Sequence, residues 1–169
     1  MISKKMTKAL NKQLNHEFFS AYLYLSMSAH CSKNDYNGSA KWFLLQYEEE
    51  HQHATRIYNY LIEQGASITL EALEKPSKKF GTLLEIFKLS LEHEQLMTRS
   101  LNELSDMALK EKDHATYNLL QWFVNEQVEE EASVGEIIAK LKMVKSDGYG
   151  ILMIDNELGQ RSLPENGDA

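Results

Sequence analysis

The sequence predicts an all-α protein, built as a bundle of four long helices with one long crossover connection and a short fifth helix at the C-terminus. Two observations lead to this prediction. The 169 residues contain only two prolines, Pro76 and Pro164, so no helix-breaking residue interrupts 1–75 or 77–163. Turn-forming clusters divide the chain into four segments of similar length, and one link between them is much longer than the others.

Turn residues and capping residues set the bounds of the four long helices. Ser3 or Thr7 can cap the first helix, Gly65 follows the end of the second, and Asp113 can cap the fourth. Gly135 lies inside the fourth helix and predicts a bend or a close contact with another helix. The predicted bounds are about 3–32, 39–64, 81–110 and 113 to 142 or 145.

The lengths of the links predict the topology. The first and third links are short, so the helices they join are antiparallel. The middle link, residues 65–80, contains a candidate extended piece at 67–70 and can reach ~53 Å when fully extended. Since each long helix is ~40–45 Å long, this link can run the whole length of the bundle and make the second and third helices parallel.

The C-terminal region completes a single domain that covers residues 1–169. The bundle is expected to end near residue 145, after a turn cluster begins at Ser146. A short fifth helix is predicted within 147–160, with its apolar run at 151–159. Residues 161–169 are polar and are predicted to form a mobile tail.

Composition excludes several classes of function. The formal net charge is −7, which makes nucleic acid a poor partner for the bulk surface. No apolar run approaches the ~20 residues that a membrane span needs, and the N-terminus lacks the apolar core of a signal peptide. Cys31 is the single cysteine and cannot form an internal disulfide, so we expect a cytoplasmic protein.

Each long helix places one glutamate in the middle of its apolar face. Residues seven apart on a helix lie within ~20° of one another, and each of these glutamates has an apolar residue seven positions before and after it. A solvated surface position is the alternative for any one of them, but four at matched heights favour one shared level in the core. The glutamates and their flanking residues are Glu17 (Leu10, Tyr24), Glu50 (Phe43, Ile57), Glu94 (Phe87, Leu101) and Glu130 (Phe123, Ile137).

Four buried carboxylates call for cations. Without them the carboxylates would repel one another and take up protons, whereas two divalent ions would balance their four charges. His53 follows Glu50 by three residues and forms the Glu-x-x-His element of di-iron and di-manganese bundles. Carboxylate and imidazole ligands together suit iron.

Further polar and aromatic residues lie close to this level. Glu49, Glu126 and Glu129 join Glu130 in a second acidic group, which is either a solvated face or a place for a third ion or its exit path. Gln127 can hydrogen-bond or ligate beside Glu130. Tyr24 is either a core residue or a redox-active or hydrogen-bonding one, and Trp122 is a weaker candidate of the same kind. The histidines other than His53 are interpreted as ordinary surface or capping residues.

These motifs closely resemble the bacterial-type non-haem ferritins, from about residue 3 to about residue 160. The resemblance implies a ferritin-like bundle. The matching stretches are Asn15-His16-Glu17, Tyr22-Leu23-Tyr24, residues 48–54, Glu92-His93-Glu94 and residues 121–131.

The resemblance also implies roles for individual residues. Glu17, Glu50 and His53 match the ligands of one iron of a ferroxidase centre. Glu50, Glu94 and Glu130 match the ligands of the other iron, with Glu50 bridging. Gln127 matches a glutamine on the dioxygen side, and Tyr24 matches a tyrosine beside the centre. The four residues that match a nearby third iron site are Glu49, Glu126, Glu129 and Glu130.

Differences from two related families narrow the cofactor and the enzyme class that we expect. Bacterioferritins carry a second Glu-x-x-His on the fourth helix, where this chain has Gln127-x-x-Glu130, and His51 stands where they carry a haem-ligating methionine. We therefore expect iron (Fe2+/Fe3+) and no haem. Rubrerythrin-like enzymes need paired cysteines, which one cysteine cannot supply.

The predicted function is iron storage with ferroxidase activity, using Fe(II) and dioxygen or peroxide. The resemblance implies a homo-oligomeric shell of 24 subunits, in which the fifth helix and residues 65–80 pack against neighbours. A di-iron carboxylate oxidase that stores nothing is the main alternative, and a purely structural acidic bundle is another. A DNA-protecting miniature ferritin is disfavoured, because it would place its metal site between subunits.

Overall fold

Five α-helices account for most of the chain. The computed structural model describes residues 2–162 and contains no strand within them. The predicted all-α bundle with a short C-terminal helix is therefore confirmed. Residues 163–169, most of the predicted tail, lie outside the described range. The helices are α1 (Lys4–Lys33), α2 (Asn37–Glu63), α3 (Leu83–Glu111), α4 (His114–Val144) and α5 (Gly148–Leu158).

Four of the helices begin at a residue whose own side chain accepts a hydrogen bond from a backbone N–H of the first turn, as helix N-caps do. The most complete is at α3, where Thr82 and Glu85 form a reciprocal capping box. The four capping residues are Ser3 for α1, Thr82 for α3, Asp113 for α4 and Asp147 for α5.

The N-terminus of α2 is capped from a distance. Its N-cap residue, Tyr36, makes no side-chain cap. Instead the buried carboxylate of Asp155, on α5, accepts hydrogen bonds from the backbone N–H groups of Gly38 (2.9 Å) and Ser39 (2.7 Å) and from the Ser39 hydroxyl (2.6 Å). A Cβ atom at Gly38 would lie 1.7 Å from the Asp155 carbonyl oxygen, so only glycine allows this approach.

Two local predictions need correction, and one is met. Helix α2 begins at Asn37, two residues earlier than expected, because Asp155 supplies the missing cap. Helix α5 begins at Gly148, within the predicted 147–160, and Asp147 caps it ahead of the apolar run. Within the described chain Gly135 makes no close helix contact, because a Cβ atom there would meet nothing within 4 Å.

The long connection between α2 and α3 runs along the outside of α1. Near its start, Asn11 accepts a hydrogen bond from the backbone N–H of Thr69 (2.6 Å) and donates one to the carbonyl of residue 67. Asn15 in the same way accepts from the N–H of Glu71 (2.8 Å) and donates to the carbonyl of residue 69. Farther on, Ser26 donates to the Ser77 carbonyl at 2.6 Å. The connection therefore crosses from one end of the bundle to the other, as its length predicts, although residues 67–70 form no strand.

The apolar core is divided into two clusters, one toward each end of the bundle. Each of the eight apolar residues that flank the four glutamates in sequence is buried, and each helix contributes one of its pair to each cluster. The polar layer of the core therefore lies between the clusters. One cluster contains Tyr24, Phe43, Phe87 and Ile137, and the other contains Leu10, Ile57, Leu101 and Phe123.

Candidate metal centre

The four predicted glutamates lie in the layer that separates the two apolar clusters. The exposed fractions are 2% for Glu17, 1% for Glu50, 0% for Glu94 and 8% for Glu130. One glutamate comes from each long helix, because each occupies the middle of its helix's apolar face. Four carboxylates thus share one buried level of the bundle.

Glu17, Glu50 and His53 form the most compact part of this layer. One ligand atom from each can be chosen so that all three lie within 4.8 Å of one another. The three-residue spacing on α2 puts His53 Nδ1 3.6 Å from Glu50 Oε2. The imidazole of His53 packs edge-on against Trp122 and Phe123, with ring centroids 5.4 and 5.7 Å apart, which fixes the plane of the ring.

Glu94 is held by two of the predicted residues. Tyr24 donates its hydroxyl proton to Glu94 Oε1, and Ser90 donates to the Tyr24 oxygen at 3.3 Å. Gln127 Nε2 donates to Glu94 Oε2 at 3.0 Å and to the Glu94 carbonyl at 3.1 Å. Gln127 therefore acts here as a hydrogen-bond donor to a carboxylate, and Tyr24 has a polar partner inside the core.

Glu130 completes the layer from α4. Its Oε2 accepts a hydrogen bond of 2.8 Å from the fully buried Gln46 of α2. Neither Glu94 nor Glu130 belongs to the compact group of three, but both act on it through charge, because their carboxylates raise the pKa of Glu50.

Burial and crowding favour the protonated form of these carboxylates. Burial, together with the neighbouring Glu50 carboxylate, raises the pKa of Glu17 well above its usual range. Burial is also the main cause that raises the pKa of Glu50 and of Glu94. Burial and the charge of Glu94 raise the pKa of Glu130 to about 8. The layer is therefore a set of acids that would release protons if cations replaced them.

The donor set fits iron. It offers carboxylate oxygens and one imidazole nitrogen, which are ligands that iron accepts, and no thiolate. Within the described residues no lysine or arginine forms an ion pair with any of the four glutamates. Burial and mutual repulsion, which raise their pKa values, are therefore left for bound cations to offset.

The second acidic group lies toward the surface and is more open. Glu49 and Glu126 are half-buried, and Glu129 is exposed. Burial and the charges of Glu129 and Glu49 raise the pKa of Glu126, while His53 opposes them. No ligand atom of these three belongs to the compact group of Glu17, Glu50 and His53. Their assignment to a third iron remains a prediction.

Comparison with known proteins identifies the family. The family profile described as "Ferritin-like domain" matches residues 7–144. The chain belongs to the ferritin family.

Individual ferritins match nearly the whole chain. The Staphylococcus aureus (strain MRSA252) protein named "Bacterial non-heme ferritin" is 42% identical over 165 residues, which cover 98% of this chain and 99% of that one. A "Probable bacterial non-heme ferritin-like protein" of Haemophilus influenzae is 40% identical over 162 residues, covering 96% and 98%. A crystal structure of an open pore ferritin from the archaeon Archaeoglobus fulgidus has a TM-score of 0.95 and 42% identity over 96% of this chain and all of that one.

Sequence reasoning missed several residues that hold the carboxylates of this ferritin. Gln13 donates to Glu17 Oε1 at 2.8 Å and is itself held by the Ser100 hydroxyl at 2.6 Å. Gln13 and Gln46 each precede a predicted ligand by four residues, which is one helical turn. A buried glutamine one turn before a buried glutamate is the signal that could have found Gln13, which bonds to the glutamate of its own helix.

Two further residues depart from expectation. The sequence predicts an ordinary surface or capping role for His93. Instead His93 packs against Tyr24 and Phe19 and pairs with Ser20 Oγ at 2.7 Å, and burial lowers its pKa to about 4. Arg161 was expected in a mobile tail, but its guanidinium contacts Glu49 at 2.6 Å. In the described part of this ferritin, none of the helices combines the length and apolar character needed to cross a membrane.

Proposed function

We propose that this ferritin stores iron and oxidises Fe(II) at a di-iron ferroxidase centre within each subunit. One observation carries the proposal: a layer of four buried carboxylates and an imidazole divides the apolar core, although isolated buried carboxylates are strongly unfavourable. A purely structural bundle would gain stability from apolar residues at these positions. Membership of the ferritin family supports the same reading.

The side chains divide into ligands and positioning groups. Glu17 and His53 would hold one iron, Glu94 and Glu130 the other, and Glu50 would bridge them. Tyr24 and Gln127 orient Glu94 through their hydrogen bonds. Each Fe(II) gives one electron to dioxygen or peroxide, and the Fe(III) product is stored as a hydrated oxide.

Loading requires that the carboxylates lose protons. Their raised pKa values mean that protons leave as Fe(II) binds, so affinity for Fe(II) should increase with pH. The half-buried and exposed carboxylates Glu49, Glu126 and Glu129, with Glu130, lie next to the centre and provide a third place for iron. These four carboxylates would also form the path by which iron leaves the di-iron centre.

Storage requires a closed compartment, and exposed apolar surface supports assembly into one. Tyr149, Leu152 and Met153 on α5 are 71%, 54% and 53% exposed in the single chain, and Met143 at the end of α4 is 81% exposed. Large apolar side chains exposed close together in sequence are typical of interfaces. We propose a homo-oligomeric shell of 24 subunits in the cytoplasm, with iron and no haem.

The decisive experiment loads the protein with excess Fe(II) in air and then separates it by size. We expect iron far above a few ions per chain, eluting with a very large particle. Two or three ions per chain on a small particle would instead indicate the non-storing di-iron oxidase. No retained iron would indicate a structural bundle.

Two substitutions test the site itself. We expect Glu50→Ala and His53→Ala to abolish fast Fe(II) oxidation while the helical content stays unchanged, because both positions lie inside α2 and alanine favours a helix. His51→Ala is a matched control, since His51 is an exposed histidine on the same helix. Fast oxidation by both site variants would show that the assignment is wrong.

A further inference from the structure

The C-terminal segment reaches the second acidic group from outside the bundle. Beyond α5, the guanidinium of Arg161 lies over the ring of Trp42, 4.8 Å from its centroid, and its Nη2 is 2.6 Å from Glu49 Oε2. Arg161 and Glu49 have side-chain exposures of 25% and 19%, so water screens this ion pair only in part.

Arg161 acts on two of the four predicted ligands of the third iron. It contacts Glu49 directly. It also donates from Nη1 to Gln46 Oε1, and Gln46 donates from Nε2 to Glu130 Oε2 at 2.8 Å. The guanidinium therefore fixes which end of the Gln46 amide faces Glu130, and that hydrogen bond occupies an oxygen that a cation would use.

Docking of α5 does not depend on Arg161. Asp155 joins α5 to the N-terminus of α2, Lys140 pairs with Glu157 at 2.6 Å, and Lys41 donates to the Gly159 carbonyl at 2.8 Å. Because these contacts already hold the helix, the position of Arg161 needs another explanation. Within residues 2–162, its ion pair with Glu49 is the one that brings a lysine or arginine to any predicted iron ligand.

We propose that Arg161 is a built-in counter-cation that competes with the third iron. This inference depends on the proposed function, because it concerns the third site of that centre. A cation at the third site must take Glu49 from the guanidinium, and it is repelled by the same positive charge. Arg161 therefore weakens the third site, so that iron passes through it instead of remaining there.

Zinc titration of the assembled, iron-free protein tests the proposal, since Zn2+ is a divalent probe without redox chemistry. Calorimetry would compare the wild type with Arg161→Gln and Arg161→Met, which remove the charge, and Arg161→Lys, which keeps it. Arg161→Met keeps an apolar stem over Trp42 should the glutamine variant fail to assemble. Lys140→Gln is the matched control, because it also removes one positive charge. Lys140 pairs with Glu136 on α4 and Glu157 on α5 but contacts neither Gln46 nor Glu49.

We expect the charge-free variants to bind the third Zn2+ about tenfold more tightly, as loss of one partly shielded charge pair predicts. The first two ions should bind as in the wild type, and Arg161→Lys and Lys140→Gln should keep the weak third site. In a Glu49→Gln background, Arg161→Gln should give a smaller gain, because only the part of the effect that runs through Glu49 is lost.

Three results overturn the proposal. An unchanged third affinity in the charge-free variants would mean that Arg161 does not compete, and a weaker one would mean that it helps to build the site. If the wild type binds fewer than two Zn2+ ions per chain, the proposed centre itself is wrong and the inference is refuted with it. The number of tightly bound ions in the wild type thus distinguishes the two failures.

Discussion

The buried carboxylate layer predicts that the iron-free protein is less stable at high pH, and that Glu130→Gln relieves part of this loss. Burial and the charge of Glu94 raise the pKa of Glu130 from 4.5 to about 8. Between these values the folded state holds a proton that the unfolded state has lost, so stability falls as pH rises. Glutamine does not titrate, and its carbonyl oxygen can still accept the hydrogen bond from Gln46.

The pKa difference sets the size of the effect. At pH 7 the unfolded Glu130 is ionised and the folded one is protonated, and the distance from 4.5 to 7 corresponds to about 3 kcal/mol per subunit. At pH 5 the same comparison gives less than about 1 kcal/mol. The variant should therefore be the more stable protein at pH 7 and nearly equal to the wild type at pH 5.

Thermal unfolding of the chelator-treated protein at several pH values measures this difference. Glu103→Gln is the control, because Glu103 is exposed on α3 and should leave the pH dependence unchanged. Addition of Zn2+ should restore the wild type at pH 7 much more than Glu130→Gln. The reasoning is refuted if Glu130→Gln loses as much stability between pH 5 and pH 7 as the wild type does.

Two further predictions concern the scaffold. Asp155→Ala should lower the free energy of unfolding by about 3 kcal/mol, because it leaves the buried N–H groups of Gly38 and Ser39 without an acceptor. Denaturant unfolding measures this free energy, and a loss below about 0.5 kcal/mol would contradict the capping role. Gly135→Ala should raise stability by about 1 kcal/mol, because a Cβ atom there meets nothing within 4 Å and alanine favours the helix; a lower melting temperature in the assembled protein would instead place this position against a neighbouring subunit.

The parts of the fold that follow from local periodicity could be predicted from the sequence. The predicted bounds of α1, α3 and α4 agree with the structure to within about two residues, because capping residues such as Thr82 and Asp113 lie next to the helices they begin. The level shared by the four glutamates followed from their seven-residue spacing to apolar neighbours. Both patterns are visible within a single helix.

Contacts between distant parts of the chain could not be predicted in this way. Asp155 caps a helix that begins more than a hundred residues earlier, and Arg161 reaches Glu49 from 112 positions away. Gln46 was missed because it bonds to Glu130 on α4 and not to Glu50 on its own helix. No periodicity signals such pairs, since they form between elements that meet only in the folded protein.

The cap that Asp155 supplies to α2 also has a consequence for the synthesis of the protein. Asp155 is synthesised 117 positions after Gly38, whose N–H it accepts. Until Asp155 has been synthesised, the first turn of α2 lacks this protein acceptor, and the apolar residues that α5 covers stay open to water. We expect a chain that stops before α5 to keep the uncapped helix and the open apolar surface, and therefore to be cleaved faster by proteases. The final helix thus separates finished subunits, which are ready to assemble, from truncated ones.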